Sequence, residues 1–254
     1  MNKSDAGCAP AQPERPAKAP SRSEPPPRHP IKAPRRSGSF PPDASRLEHS
    51  PLYSEELGID LAAHSDEQYF RWFLASLLFG GHISETIARR TYRVFCRHRL
   101  TTPRRILAAG WDFLVDPIMR DGGYVRYDFS KSDRILRNCR KLVDEYDGSL
   151  WRVHETASDA HDLEARLLAF YGVGPVTANI FLRELRPFWP KADPAPLPVV
   201  ASVAARCGTD LAQYGRKSIT FARVEAGLIR LRHQLRRQTA ERMDRPAAPV
   251  PAPK

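Results

Sequence analysis

Between two helical patterns the chain places Gly172-Val173-Gly174-Pro175, and this junction limits the fold more than any other stretch. Leu163, Leu167 and Phe170 recur at helical spacing before it, and Ala178, Phe181 and Leu182 resume that spacing after it. The glycines permit a reversal too tight for residues that carry a Cβ, and Pro175 suits the first turn of a new helix. Such a turn leaves the N–H groups of Gly174, Val176 and Thr177 facing outward at the positive end of a helix. A phosphate oxygen can sit there without any side-chain charge. The stretch reads as a helix–hairpin–helix that grips a nucleic-acid backbone, with Gly172, Val173, Gly174, Val176 and Thr177 as its contacts. An ordinary αα-hairpin with a glycine turn fits the same four residues. The choice rests on the remainder of the chain.

The formal charge of +11, from 40 Lys and Arg against 29 Asp and Glu, points to a polyanionic partner. Charge alone separates neither DNA from RNA nor either from an acidic membrane surface. Cys8, Cys96, Cys139 and Cys207 are far apart, without the spacing of a disulfide framework, a zinc site or an iron–sulfur site. No apolar run is long enough to span a bilayer, and the N-terminus lacks an apolar signal segment. The expectation is a soluble, cytoplasmic, nucleoid-associated monomer that uses no metal and no cofactor.

Residues 1–50 are rich in Pro, Ala, Ser, Arg and Lys and read as a disordered basic arm, because they offer too little apolar surface to offset ordering. Residues 241–254 repeat that composition and read as a loose tail. Between them the pattern is helical throughout, so the fold class is all-α. Ser65-Asp66-Glu67 starts a helix dense in apolar residues, Tyr69 to Leu78, which Gly80-Gly81 ends. Ser84 caps the next helix, and Thr102-Pro103 opens a third. A short helix over Asp112 to Met119 and an extended connector over Tyr124 to Phe129 precede a helix capped by Ser130 or Ser132. After the hairpin, Arg186 to Pro198 is too proline-dense for regular structure. Two further helices follow, the second amphipathic with Phe221, Val224, Leu228 and Leu231 inward.

The order of these pieces resembles the helix–hairpin–helix DNA glycosylase superfamily, in particular its endonuclease III-like members. The pieces are GGYVRYDFSKSDRILRNCRKLVDEYDG, then LLAFYGVGPVTANIFLREL, then a proline-bearing loop with an aspartate. The resemblance covers roughly Tyr69 to Cys207, and its most specific part is Gly172 to Pro175 with Thr177-Ala178. It implies a two-lobed helical protein with duplex DNA across the groove. The central lobe would span about 84–190, and the second lobe 51–83 plus 195–240. It also implies action on a base flipped out of the stack, with a carboxylate stabilising the oxocarbenium character that develops as the N-glycosidic bond breaks. Asp193 is the only carboxylate in the loop after the second hairpin helix and is the expected catalytic residue.

The sequence departs from that pattern in four places. The position of the lyase lysine carries Val176, which cannot form a Schiff base, so a monofunctional enzyme is implied. Lys191 is the one nearby amine that could stand in. Asp193 lacks the family's Val-Asp-Thr-His setting, and a base-gap-filling Gln is replaced by Gly81, leaving Phe79 or His82 as the wedge. The four-Cys iron–sulfur cluster is absent from the sequence after Cys207. Tyr124 and Trp189 are candidate walls of a base pocket, and Arg216 and Lys217 candidate phosphate contacts. Arg230, Arg232, Arg236 and Arg237 read as a solvated helix face. Two functions stay open: a DNA N-glycosylase using Asp193 and an activated water, and a DNA-binding module of the same fold without chemistry. A basic RNA-binding protein is a third reading.

Overall fold

Helix starts follow the capping residues that the sequence offers. Ser84 Oγ accepts the Ile87 N–H, Thr102 Oγ1 accepts the Arg105 N–H ahead of Pro103, and Pro175 and Pro198 open two later helices. The computed structural model describes residues 44–243, with side chains for 45–235. The expected arm before Ala44 and the tail after Met243 lie outside the described residues. In order the helices are α1 (Ala44–Glu48), α2 (Tyr53–Glu56), α3 (Asp66–Phe79), α4 (Glu85–Arg97), α5 (Pro103–Phe113) and α6 (Arg120–Gly122). They continue with α7 (Asp128–Tyr146), α8 (Leu150–Thr156), α9 (Ala160–Leu168), α10 (Pro175–Leu185), α11 (Pro198–Cys207) and α12 (Ile219–Met243). No strand occurs among the described residues, so the fold class is all-α. Among them no helix is long and apolar enough to cross a membrane.

Four local expectations are corrected. Asp112 to Met119 is not one continuous short helix: α5 is broken at Gly110, at φ +79°, and the helical stretch after it is broken again at the extended Asp116, at φ −137° and ψ 114°, before Pro117. Val125 to Tyr127 is a turn rather than an extended connector, and α7 starts at Asp128, ahead of either expected serine cap. Helix already begins at Ala44, inside the expected arm. Leu47 is buried against α12, where Gly227 leaves a notch: a Cβ there would lie 2.9 Å from Leu47 Cδ2.

The apolar residues form two clusters. The larger joins α2 to α10 around Trp72, Phe73, Phe95, Phe170 and Phe181, and Trp72 Nε1 donates to the Phe181 carbonyl at 3.0 Å. The smaller joins α1, α11 and α12 through Leu47, Val200, Val203, Val224 and Leu228. The aromatic face of α3 packs on Phe170, Phe181 and Trp189, so residues 51–83 belong with the larger cluster.

Candidate nucleic-acid interface

The junction between α9 and α10 is a tight hairpin whose inner residues are buried and whose tip is open. Leu163, Leu167, Phe170, Phe181 and Leu182 are buried, as their spacing predicts. Gly172 turns the chain at φ +70°, and Gly174 precedes α10 with no side chain capping the helix and nothing within 4 Å of where a Cβ would stand. Val176 on the first turn is 52% exposed. The open tip thus presents the N–H groups of the first turn of α10, on a helix long enough for its dipole to count. Two expected contacts face inward. Val173 is buried and its N–H donates to the Phe170 carbonyl at 3.1 Å, so it has no donor to offer. The Thr177 side chain turns inward against Gly80, leaving only its backbone N–H.

Sequence reasoning missed what holds this hairpin in place. Asn138 of α7 accepts the Tyr171 N–H at 2.7 Å and returns a bond from Nδ2 to the Tyr171 carbonyl at 3.1 Å. Arg134, one turn earlier, lies directly beneath Gly172: a Cβ there would come within 2.8 Å of Arg134 Cδ. Arg134 makes no hydrogen bond or ion pair among the described residues, whereas Arg137 is bound to Asp133 at 2.9 Å and covers the Tyr171 ring at 4.5 Å. Lys131, a turn further back, is buried and donates to the Leu77 carbonyl at 2.7 Å. Burial first, then the Arg134 charge, pushes its amine down to about 8. The available signal was the three-residue spacing of Lys131, Arg134, Arg137 and Arg140, which sets cations along one strip of a helix.

The remaining basic candidates serve the proline loop instead. Arg216 Nη2 meets Asp193 Oδ1 at 2.8 Å, and Arg186 Nε stands 3.7 Å from the same oxygen. Lys217 Nζ donates to the carbonyls of Pro190 at 2.6 Å and Ala192 at 3.1 Å. Lys191 Nζ caps the end of α8, donating to the carbonyls of His154, Glu155 and Ala157. The reason is chemical: a segment rich in proline and the C-terminal end of a helix both present carbonyls that lack backbone donors. In this structure Asp193 is ion-paired, Arg216 and Lys217 bind the loop, and the Lys191 amine donates to carbonyls at the end of α8.

Both expected walls of a base pocket lie inside the larger cluster. Trp189 is 1% exposed and packs edge-on against Tyr69 and Phe181 and flat on His154, inside the larger cluster. Tyr124 is fully buried, and its hydroxyl has no hydrogen-bond partner among the described residues. Burial pushes that phenol up to about 12. The hydroxyl abuts Gly81, where a Cβ would overlap it, so the glycine at the expected wedge position is a packing necessity.

A groove of about 1080 Å³ opens beside the hairpin. Val176, Ile180 and Arg183 of α10 line one wall at helical spacing, Phe79 and Glu85 another, and Arg230, Arg232 and His233 of α12 a third. Glu85 Oε1 accepts the Tyr53 hydroxyl at 3.1 Å and lies 3.3 Å from His233 Nε2. Arg230 is not the solvated residue expected: it is bound to Glu56 at 3.0 Å and lies 4.2 Å over the Tyr53 ring. Arg236 and Arg237 have side chains outside the described residues. Asp193 is not among the lining residues; Leu197 and Val199, at the start of α11, are. Comparison with models of known families, with curated proteins and with solved structures found no match.

Proposed function

We propose that this chain binds duplex DNA, the α9–α10 hairpin taking a backbone phosphate and Arg134 of α7 supplying a charge beside it. One observation carries the reading: the first turn of α10 is uncapped and open, and in the turn leading into it Gly172 packs on the Arg134 guanidinium, which has no hydrogen-bond or ion-pair partner among the described residues. Both are features that an anion completes. The formal charge of +11 agrees with a polyanionic partner. The test is Gly174→Val. Nothing lies within 4 Å of the new side chain's first carbon, so stability should stay within about 1 kcal/mol of the parent. The branched side chain fills the phosphate position, and duplex affinity should fall about ten-fold or more. Unchanged affinity, or a preference for hairpin RNA over duplex DNA, overturns the proposal.

The groove supports a second reading, a monofunctional DNA N-glycosylase that hydrolyses the bond to a flipped base. The observation favouring it is a carboxylate, Glu85, on the wall of a cleft that opens next to the hairpin. Breaking the bond leaves positive charge on the sugar, which a carboxylate stabilises while water attacks and the base departs. On this geometry Glu85 fills the role expected of Asp193. Base release from a panel of lesion duplexes separates the readings. Loss with Glu85→Gln and retention with Asp193→Asn support hydrolysis. No release from any lesion, with duplex binding intact, leaves the binding module.

A further inference from the structure

A poorly matched buried charge lies in the wall of the groove, on Arg183 of α10. Arg183 sits on the wall-facing side of α10, yet its side chain is only 4% exposed. Its Nε is buried without any hydrogen-bond acceptor among the described residues. The nearest carboxylate oxygen, Glu184 Oε1, is 3.9 Å away. That carboxylate is already occupied, accepting the N–H groups of Tyr53 at 3.0 Å and Ser54 at 2.9 Å. Its complete burial pushes its pKa up, which weakens it further as a counter-charge.

What Arg183 does have is the face of Tyr53, 5.2 Å from its guanidinium carbon, shared with Arg230 at 4.2 Å and Arg89 at 5.1 Å. Three guanidinium groups on one ring are held together by the quadrupole of that ring and by the flanking Glu56. Arg89 and Arg230 are paired with Glu56; Arg183 is not. Arg232, on the α12 wall of the same groove, makes no hydrogen bond or ion pair among the described residues. A buried guanidinium left this poorly matched costs stability, and its fork fits two oxygens of one oxyanion.

We infer that Arg183, assisted by Arg232, forms the floor of an oxyanion subsite in the groove and takes a phosphoryl group. The group comes either from a nucleic-acid strand or from a free nucleotide. Only the first source rests on the DNA-binding reading above. The subsite itself is separate from the hairpin tip.

The experiment is a thermal-melt titration of the full chain with inorganic phosphate, with a nucleoside 5′-monophosphate and with a 5′-phosphorylated duplex. Parent and Arg183→Met are compared. The parent should gain Tm with phosphate, and Arg183→Met should lose about ten-fold or more in phosphate affinity. Without phosphate, Arg183→Met should melt at or above the parent temperature, because a flexible apolar chain replaces an unmatched buried charge. No gain in the parent, or a gain that survives Arg183→Met, overturns the inference. If Arg183→Met does not fold, Arg232→Ala decides: weaker phosphate binding supports the subsite, and unchanged binding overturns it. A response to the monophosphate alone assigns the free nucleotide, and a response to the duplex alone assigns the strand. Gly174→Val keeps the phosphate response if the subsite is separate, so failure of the hairpin reading leaves this result distinguishable.

Discussion

His154 is the residue in which burial and neighbouring charge act most plainly together. Its ring is 4% exposed, stacks on Trp189 at 4.8 Å, and accepts the Lys191 N–H at Nε2, which places the proton of the neutral ring on Nδ1. Burial first, then the Lys191 and Lys217 charges, lowers its pKa from 6.5 to about 4. Between those values the unfolded chain binds the proton that the folded chain refuses, so stability falls as pH drops from 6.5 towards 4 and levels off below. Urea unfolding at pH 7, 6 and 5 should show this decline in the parent and a flatter one in His154→Asn, which keeps an acceptor for the Lys191 N–H. Parallel declines would place the acid sensitivity elsewhere. The cations around His154 were legible in the sequence as charges, but their partners were not. A lysine looks the same in sequence whether it will meet a phosphate or the carbonyls of Pro190 and Ala192. That is why Arg216, Lys217 and Lys191 were read as nucleic-acid or chemical groups.

At the scale of elements, the hairpin was the legible part, because its signal is local: helical spacing, a glycine turn and a proline at the start of α10. The contact between α3 and α10 was not. Gly80 reads in sequence as a stop for α3, yet its φ is −71°, which any residue adopts. The glycine is required instead by approach. A Cβ at this position would overlap Thr177 Oγ1 and lie 2.9 Å from Thr177 Cβ, on the first turn of the helix that carries the hairpin tip. Gly80→Ala should therefore destabilise by about 1–3 kcal/mol through overpacking. Removing the obstacle tests the cause: Gly80→Ala with Thr177→Gly takes away both Oγ1 and Cβ and should cost less than the sum of the two single changes, a coupling of about 1 kcal/mol or more. Simple additivity in that cycle would mean the glycine acts through the backbone rather than through the contact. Duplex binding by the single variant should fall along with stability, since the overlap displaces the turn whose N–H groups face outward.

For the molecule as a whole, sequence could place helices but could not pair them, since each apolar face is equally suited to any other. In the fold, the apolar residues of 51–83 lie in the larger cluster, and α1 joins α11 and α12 in the smaller. What joins the clusters is partly ionic. Arg186, at the end of α10, and Glu225 of α12 form a fully buried ion pair, and Arg186 also donates to the Pro194 carbonyl. Burial raises the Glu225 carboxyl while the Arg186 charge opposes that rise. Glu225 sits beside Ala226, which packs in the larger cluster, and Val224, which packs in the smaller. Glu225→Gln leaves a buried guanidinium without its counter-charge and should cost about 3–5 kcal/mol, whereas Arg186→Met with Glu225→Leu should come close to the parent or exceed it. The expected result in urea is one early transition for the single variant and a restored midpoint for the double. A single variant within about 1 kcal/mol of the parent would show that apolar packing alone holds α12 against α10. In that case the groove between them, with Arg183 on one wall and Arg232 on the other, would keep its shape without the ion pair.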